Sequence, residues 1–137
     1  MSKAYFEIIR PGIHSTLQDL GRSNQYHIGI PFSGSMDKRN YLISNKLLGN
    51  KLNEPSLEFA YQGPLMKLHS GKVSGTITGN VTFNIIRKNS KIEKGICYQT
   101  FEIKDGDQLD IISTNRSVYG YFSIKNGFVG EYIWGSY

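Results

Sequence analysis

From Leu57 onward the chain is cut into short runs bounded by glycine, asparagine, aspartate or serine, and only one earlier segment keeps a helical spacing. Such runs are too short for ordinary helices, and their partial two-residue alternation is that of strands. Val81 to Ile86 alternates in part and turns at Lys88-Asn89-Ser90. Tyr98 to Ile103 alternates again ahead of the turn Asp105-Gly106-Asp107, and Leu109 to Ile112 follows. Val118 to Ile124 leads into Lys125-Asn126-Gly127, after which Phe128 to Ile133 is a further expected strand. Pro64 to Leu68 and Val73 to Thr78 belong to the same series, and Tyr5 to Arg10 is another strand, stopped by Pro11-Gly12. Regularly spaced strands with glycine-rich turns point to a mainly β barrel or sandwich. At 137 residues the chain has room for one such domain, and it shows no linker, internal repeat or low-complexity segment.

The segment Met36 to Leu48 predicts the one principal helix. Ser35 suits its N-cap, and Asp37 in the first turn suits the positive helix end. Met36, Tyr41, Ile43, Leu47 and Leu48 form an imperfect apolar stripe, broadened by Leu42, so the helix is expected to be well buried. Gly49-Asn50 is a C-terminal stop. Ahead of this helix, His14 to Ser35 has no clear periodicity and reads as a long polar loop, where a rigid scaffold can aim functional side chains.

Composition excludes several classes. Sixteen basic residues against eleven acidic give a net charge of +5, but no run of lysine or arginine exceeds two residues, so nucleic acid is not an expected partner. No apolar run approaches the ~20 residues of a membrane span. The acid at Glu7 interrupts what a signal peptide would need to be apolar. The single cysteine, Cys97, has no disulfide partner in the chain and reads as a small buried side chain. His14, His27 and His69 lack metal-ligand spacing, so no metal site is expected. The expected setting is reducing and cytoplasmic.

Several short motifs then occur in order. They are Arg10-Pro11-Gly12, Thr16-Leu17-Gln18-Asp19-Leu20-Gly21-Arg22, and Gly29-Ile30-Pro31-Phe32-Ser33-Gly34-Ser35-Met36-Asp37. Further along stand Asn45 to Asn50 (NKLLGN), Leu57-Glu58, Gly63-Pro64, Gly106-Asp107-Gln108-Leu109 and Gly135-Ser136. Together they resemble the 5-oxoprolinase C-subunit family, also called allophanate hydrolase subunit 2, KipA-like, or biotin-dependent carboxyltransferase-like. Leu17 stands where the family has Val, Ser35 where it has Ala, and Gly79-Asn80 where it tends to Gly-Ala. The resemblance implies a cyclophilin-like β-barrel with few helices. Family members run to about twice this length and continue as Arg-Ser-Thr at Tyr137. Residues 1–137 are therefore expected to be the N-terminal half of a carboxyltransferase-like domain, an incomplete version of the fold with the C-terminal half absent.

The resemblance also implies chemistry. Substrates in the family share an N–C=O unit, as in a lactam, urea or the ureido ring of biotin. Such a group needs an acceptor for N–H and donors for the carbonyl oxygen. Gln18, Asp19 and Arg22 supply both kinds and are the candidate catalytic residues. A carboxylate with an ordinary pKa of about 4 is a poor base for an amide proton, so Asp19 is expected to orient or polarise. Pairing of Asp19 with Arg22 to brace the loop is the competing role. Ser33, Ser35 and Asp37, at the opening of the helix, and Glu58, on a strand, are candidate substrate-binding residues. Plain helix capping is the alternative for the first three. His27 is the best placed of the histidines for substrate contact.

The expected function is that of the C-type component of an ATP-dependent 5-oxoprolinase or a related amide- or urea-handling complex. The KipI-like B-subunit is the expected partner, together with a separately encoded C-terminal half, and this chain is not expected to be active alone. No phosphate-binding GxxxxGK[ST] loop occurs, so ATP or biotin would enter through the complex. The alternatives are a non-catalytic regulatory module that antagonises a KipI-like kinase inhibitor, and an inactive truncated or split gene product.

Overall fold

The computed structural model describes residues 4–12, 16–19, 32–34, 37–52, 54–115, 119–128 and 133–135, with 16–19, 32–34 and 133–135 described by backbone alone. Among them the elements run β1 (Tyr5–Arg10), β2 (Thr16–Asp19), β3 (Phe32–Gly34), α1 (Lys38–Leu47), β4 (Ser56–Ala60), β5 (Leu65–His69) and β6 (Lys72–Thr78). They continue as β7 (Val81–Ile86), β8 (Ile92–Lys94), β9 (Thr100–Lys104), β10 (Gln108–Thr114), β11 (Tyr119–Ile124) and β12 (Ile133–Gly135). Among the described residues the protein is mainly β with one helix, as the turn spacing predicts.

The strands form two six-stranded sheets, ordered β12-β1-β5-β10-β7-β8 and β3-β2-β4-β11-β6-β9. Their facing sides share one apolar core. Phe6, Met66, Leu68, Phe83, Ile85, Leu109 and Ile111 come from the first sheet, and Leu57, Phe59, Ile77, Ile103, Phe122 and Ile124 from the second. Phe122 is the hinge of the aromatic packing. It meets Phe6 edge-on at 5.6 Å, Phe128 edge-on at 5.4 Å and Phe101 stacked at 6.2 Å. Burial of each such ring is worth roughly 1.5–3 kcal/mol, with about 0.5–1.5 kcal/mol more for favourable ring geometry.

Helix α1 lies against β11 and β6, on the side of the second sheet away from this core. It leaves β4 buried along its whole length. The buried helix residues are Tyr41, Ser44, Asn45 and, just past its end, Leu48. This corrects the expected apolar stripe in part: Tyr41 and Leu48 are buried as expected, but Leu47 is exposed, and the inward face carries hydroxyl and amide groups at i, i+3 and i+4 with Leu48 at i+7. The sheet beneath offers Ser56, Glu58, Thr76, Thr78 and Ser123, all buried, so the helix docks by hydrogen bonds. The N-cap also moves by two residues. Asp37, not Ser35, caps α1, its carboxylate accepting from Asn40 N–H at 3.1 Å.

The C-terminal end of the helix is tied to the sheet by the NKLLGN segment. Asn50 Nδ2 donates to Asn45 Oδ1 (3.0 Å) and to the Ile124 carbonyl (2.8 Å), while Asn50 Oδ1 accepts from Asn126 N–H (2.7 Å). Gly49 takes φ +70°, which lets the chain reverse after the helix. At the Gly63-Pro64 turn a side chain on Gly63 would run into Ile111, 2.4 Å from an added Cβ. The Gly106-Asp107 turn is braced by Asp107, which is nearly fully buried. Its carboxylate accepts from Lys104 N–H, Lys88 N–H and the Arg87 guanidinium, each at 2.9 Å.

The long polar loop is partly strand. Residues 16–19 and 32–34 pair in parallel as β2 and β3, and β2 continues the sheet from β4. Gln18 and Asp19 therefore stand on a strand rather than a loop. Their partners lie far away in sequence, which a local two-residue pattern cannot reveal. Of the strand expected over Phe128 to Ile133, Phe128 is a core residue outside any strand, and β12 begins at Ile133.

Two outcomes follow for stability. Asn50→Ala, which removes three hydrogen bonds tying the segment after α1 to Asn45, to the end of β11 and to the turn that follows it, should cost about 1–3 kcal/mol in urea denaturation, against within about 0.5 kcal/mol for Lys51→Ala at an exposed neighbour. Asp107 also carries a pH dependence. Burial pushes its carboxyl up, but the Lys104 amide, the Arg87 guanidinium and the Lys88 amide together hold it below the ordinary value. A carboxyl lowered by folding stabilises fully above its unfolded pKa of about 3.9, and that contribution disappears as pH falls through the folded value. Stability of Asp107→Asn should therefore fall less between about pH 6 and about pH 3 than that of the wild type, measured by the same denaturation.

Candidate functional site

The surface between α1 and the second sheet is a layer of polar side chains, and its rows can be followed strand by strand. One row runs through Thr78 on β6, Tyr121 on β11, Glu58 on β4 and Thr16 on β2. A parallel row pairs Thr76 with Ser123, continues by hydroxyl contact from Ser123 to Ser56, and passes by strand register from Ser56 to Gln18 and on to Ser33. Between them lies an apolar row of register partners, Ile77, Phe122, Leu57, Leu17 and Phe32. Alternation along a strand puts successive residues in rows of opposite parity. Gln18 thus falls in the Ser56–Ser33 row, and Asp19 takes the next position, opposite Gly34.

Two hydrogen-bonded chains fill the layer. In the first, Ser123 Oγ bridges Ser56 Oγ and Ser44 Oγ, and Ser44 also donates to the Tyr41 carbonyl at 2.6 Å. All three serines are fully buried. Left unpaired, each hydroxyl would cost about 1–3 kcal/mol, so the chain of contacts is what permits their burial. In the second, the Tyr121 hydroxyl donates to Glu58 Oε2 and accepts from Asp37 N–H at 2.8 Å. Burial pushes the Tyr121 hydroxyl well above the ordinary tyrosine pKa, and the adjacent Glu58 carboxylate pushes it further. Tyr121 therefore stays protonated and acts as a donor across the accessible pH range.

The helix start is held by a further arm. Asn40 Nδ2 donates to Asp37 Oδ2 at 2.8 Å, and Asn40 Oδ1 accepts from the Tyr98 hydroxyl at 2.7 Å. That hydroxyl also accepts Gly79 N–H at 3.1 Å. Tyr98 sits at φ +64°, a left-handed backbone rare for a bulky residue.

Of the expected site residues, the structure joins Glu58 and Asp37 through Tyr121. It sets Gln18 and Ser33 at consecutive positions of one row. Arg22, Ser35, His14 and His27 lie outside the described residues, as do the side chains of Gln18, Asp19 and Ser33. Tyr121, Ser56 and Ser123 escaped sequence reading, because a tyrosine or serine in an alternating strand looks like ordinary sheet. Cys97 is half-buried, donates to the Val81 carbonyl at 3.2 Å and has its thiol pKa pushed up by burial. Such a thiol is a poor nucleophile. Among the described residues no cluster of His, Cys, Asp and Glu is arranged to hold a metal ion, and no helix is long and apolar enough to cross a membrane.

A separate charged concavity of about 580 Å³ is lined by residues that include Arg87, Lys88, Lys104 and Asp107. Its central arginine is engaged by Glu93 (3.0 and 3.1 Å) and Asp107 (2.9 Å). That arrangement braces the β7–β8 and β9–β10 turns.

Known proteins share this arrangement of strands. The urea amidolyase of Saccharomyces cerevisiae is 30% identical over 133 residues, which is 96% of this chain and 7% of that protein. The C-subunit of 5-oxoprolinase from Haemophilus influenzae is 28% identical over 115 residues, 84% of this chain and 36% of that protein. The crystal structure of the Kluyveromyces lactis urea carboxylase superposes with a TM-score of 0.75 at 27% identity, covering 93% of this chain and 11% of that one. The chain thus spans a small part of the urea amidolyase and about a third of the 5-oxoprolinase protein. The family described as carboxyltransferase domain, subdomain A and B, matches residues 28–137. By that match, which takes in most of the sequence, the chain belongs to the carboxyltransferase domain, subdomain A and B, family.

Proposed function

We propose that this chain supplies one wall of a site for a small N–C=O compound (a lactam, urea or carboxylated ureido group) in an ATP-dependent complex with a KipI-like partner. The observation that carries this reading is the polar layer spanning β6, β11, β4 and β2. Glu58 stands in it beside Thr16, and Gln18 beside Ser56 and Ser33. A carboxylate accepts the N–H of such a substrate, and a carboxamide donates to its carbonyl oxygen. Ser33, Ser35 and Asp37, at the approach to the helix, would meet an anionic group of the substrate. Arg22 would pair with a substrate carboxylate. ATP and biotin, in this reading, are held by other parts of the complex. The names of relatives support the reading: one is a urea amidolyase and another belongs to a 5-oxoprolinase.

Reconstitution with a KipI-like protein and assay of ATP-dependent loss of 5-oxoproline tests it. Glu58→Gln should lower kcat/KM by about 10–100-fold, the loss expected for one charge-assisted hydrogen bond. Gln18→Ala combined with Arg22→Ala should abolish turnover. Full activity in that double variant rejects the site, and capture of the KipI-like protein without turnover in any variant favours a regulatory module instead.

A further inference from the structure

We propose that Tyr121 is a positioning residue, coupling the start of α1 to the Glu58 carboxylate so that a change at either is felt at the other. This rests on the reading of Glu58 and the helix start as parts of one site. Tyr121 belongs to neither the expected site nor any motif that marks the family resemblance.

The geometry of one oxygen carries the inference. Tyr121 is fully buried on β11, directly opposite Glu58 on β4 and Thr78 on β6. Its hydroxyl donates its only proton to Glu58 Oε2 and accepts the backbone N–H of Asp37. A hydroxyl that accepts while it donates is polarised along the chain, so the two bonds strengthen or weaken together. The ring is held from the side by Tyr41, with centroids 6.2 Å apart, and Tyr41 is itself fixed by its hydroxyl on the Glu54 carbonyl at 2.7 Å. The oxygen therefore has little freedom to follow one partner and leave the other. The arm from Tyr98 reaches Asp37 differently. It ends on the Asp37 carboxylate through Asn40 and touches neither the Asp37 N–H nor Glu58. Of these two routes, the one through Tyr121 is the one that joins the helix start to the acid.

The test needs no substrate. In the ¹⁵N-labelled protein, Glu58→Gln should move the Asp37 amide resonance. The same substitution should move it in a Tyr98→Phe background and leave it in place in a Tyr121→Phe background. Amide exchange at Asp37 should be about tenfold faster in Tyr121→Phe, the change that loss of one net hydrogen bond implies. An equal displacement with and without the Tyr121 hydroxyl, or none in the wild type, overturns the proposal. Should Tyr121→Phe not give a native-like spectrum, 3-fluorotyrosine at position 121 keeps the hydroxyl in place and alters its donor strength. It should then move the Asp37 amide and Glu58 carboxyl resonances together, and movement of only one overturns the coupling. The two readings fail separately. Lost coupling with turnover still sensitive to Glu58→Gln rejects the role of Tyr121 alone. Intact coupling with turnover indifferent to Glu58→Gln rejects the site.

Discussion

A helix docked on a sheet through hydroxyls, rather than through leucines, is the constraint on which this structure turns. Ser44, Ser56 and Ser123 are hydrogen-bonded in series in a fully buried layer, and Tyr121 joins Glu58 to the helix start. Each group is tolerable only because the next one satisfies it. An apolar interface slides at small cost, whereas one built from directional bonds has a single register. The layer therefore fixes where α1 begins.

This division of labour explains the two faces of the second sheet. Its inner face is conventional: Leu57, Phe59, Ile77, Phe122 and Ile124 pack against the first sheet and supply the burial that folds the domain. Its outer face buries the rings of Tyr41 and Tyr121 among hydroxyl and amide groups. The short motifs separate in the same way. Asn45 and Asn50, Gly63, and Gly106 with Asp107 staple turns and helix ends. Glu58 and Asp37 belong to the layer.

Much of the architecture was legible before any coordinates, and its failures have physical causes. β1 and β7 match their expected limits because turn residues punctuate them, and turn chemistry is local. β2, β3 and β8 were not legible, since three or four residues carry no periodicity and their pairing is decided by distant strands. The helical spacing predicts α1 but not which of its faces is buried. An apolar stripe is the usual sign of burial, yet here the sheet beneath is polar, so Ser44 and Asn45 go in while Leu47 stays out. Glu58 was legible from its place in a familiar motif. Tyr121 was not, because nothing local distinguishes a relay hydroxyl from an ordinary sheet tyrosine.

The central claim is that the polar row of β4 and β2 receives an N–C=O group. The most direct measurement is a crystal structure of the chain bound to a KipI-like partner in the presence of 5-oxoproline. The account places the lactam N–H or carbonyl within about 2.7–3.2 Å of the Gln18 carboxamide or the Glu58 carboxylate. A lactam seated instead in the charged concavity beside Arg87 and Lys104, with no contact to β2 or β4, would contradict it.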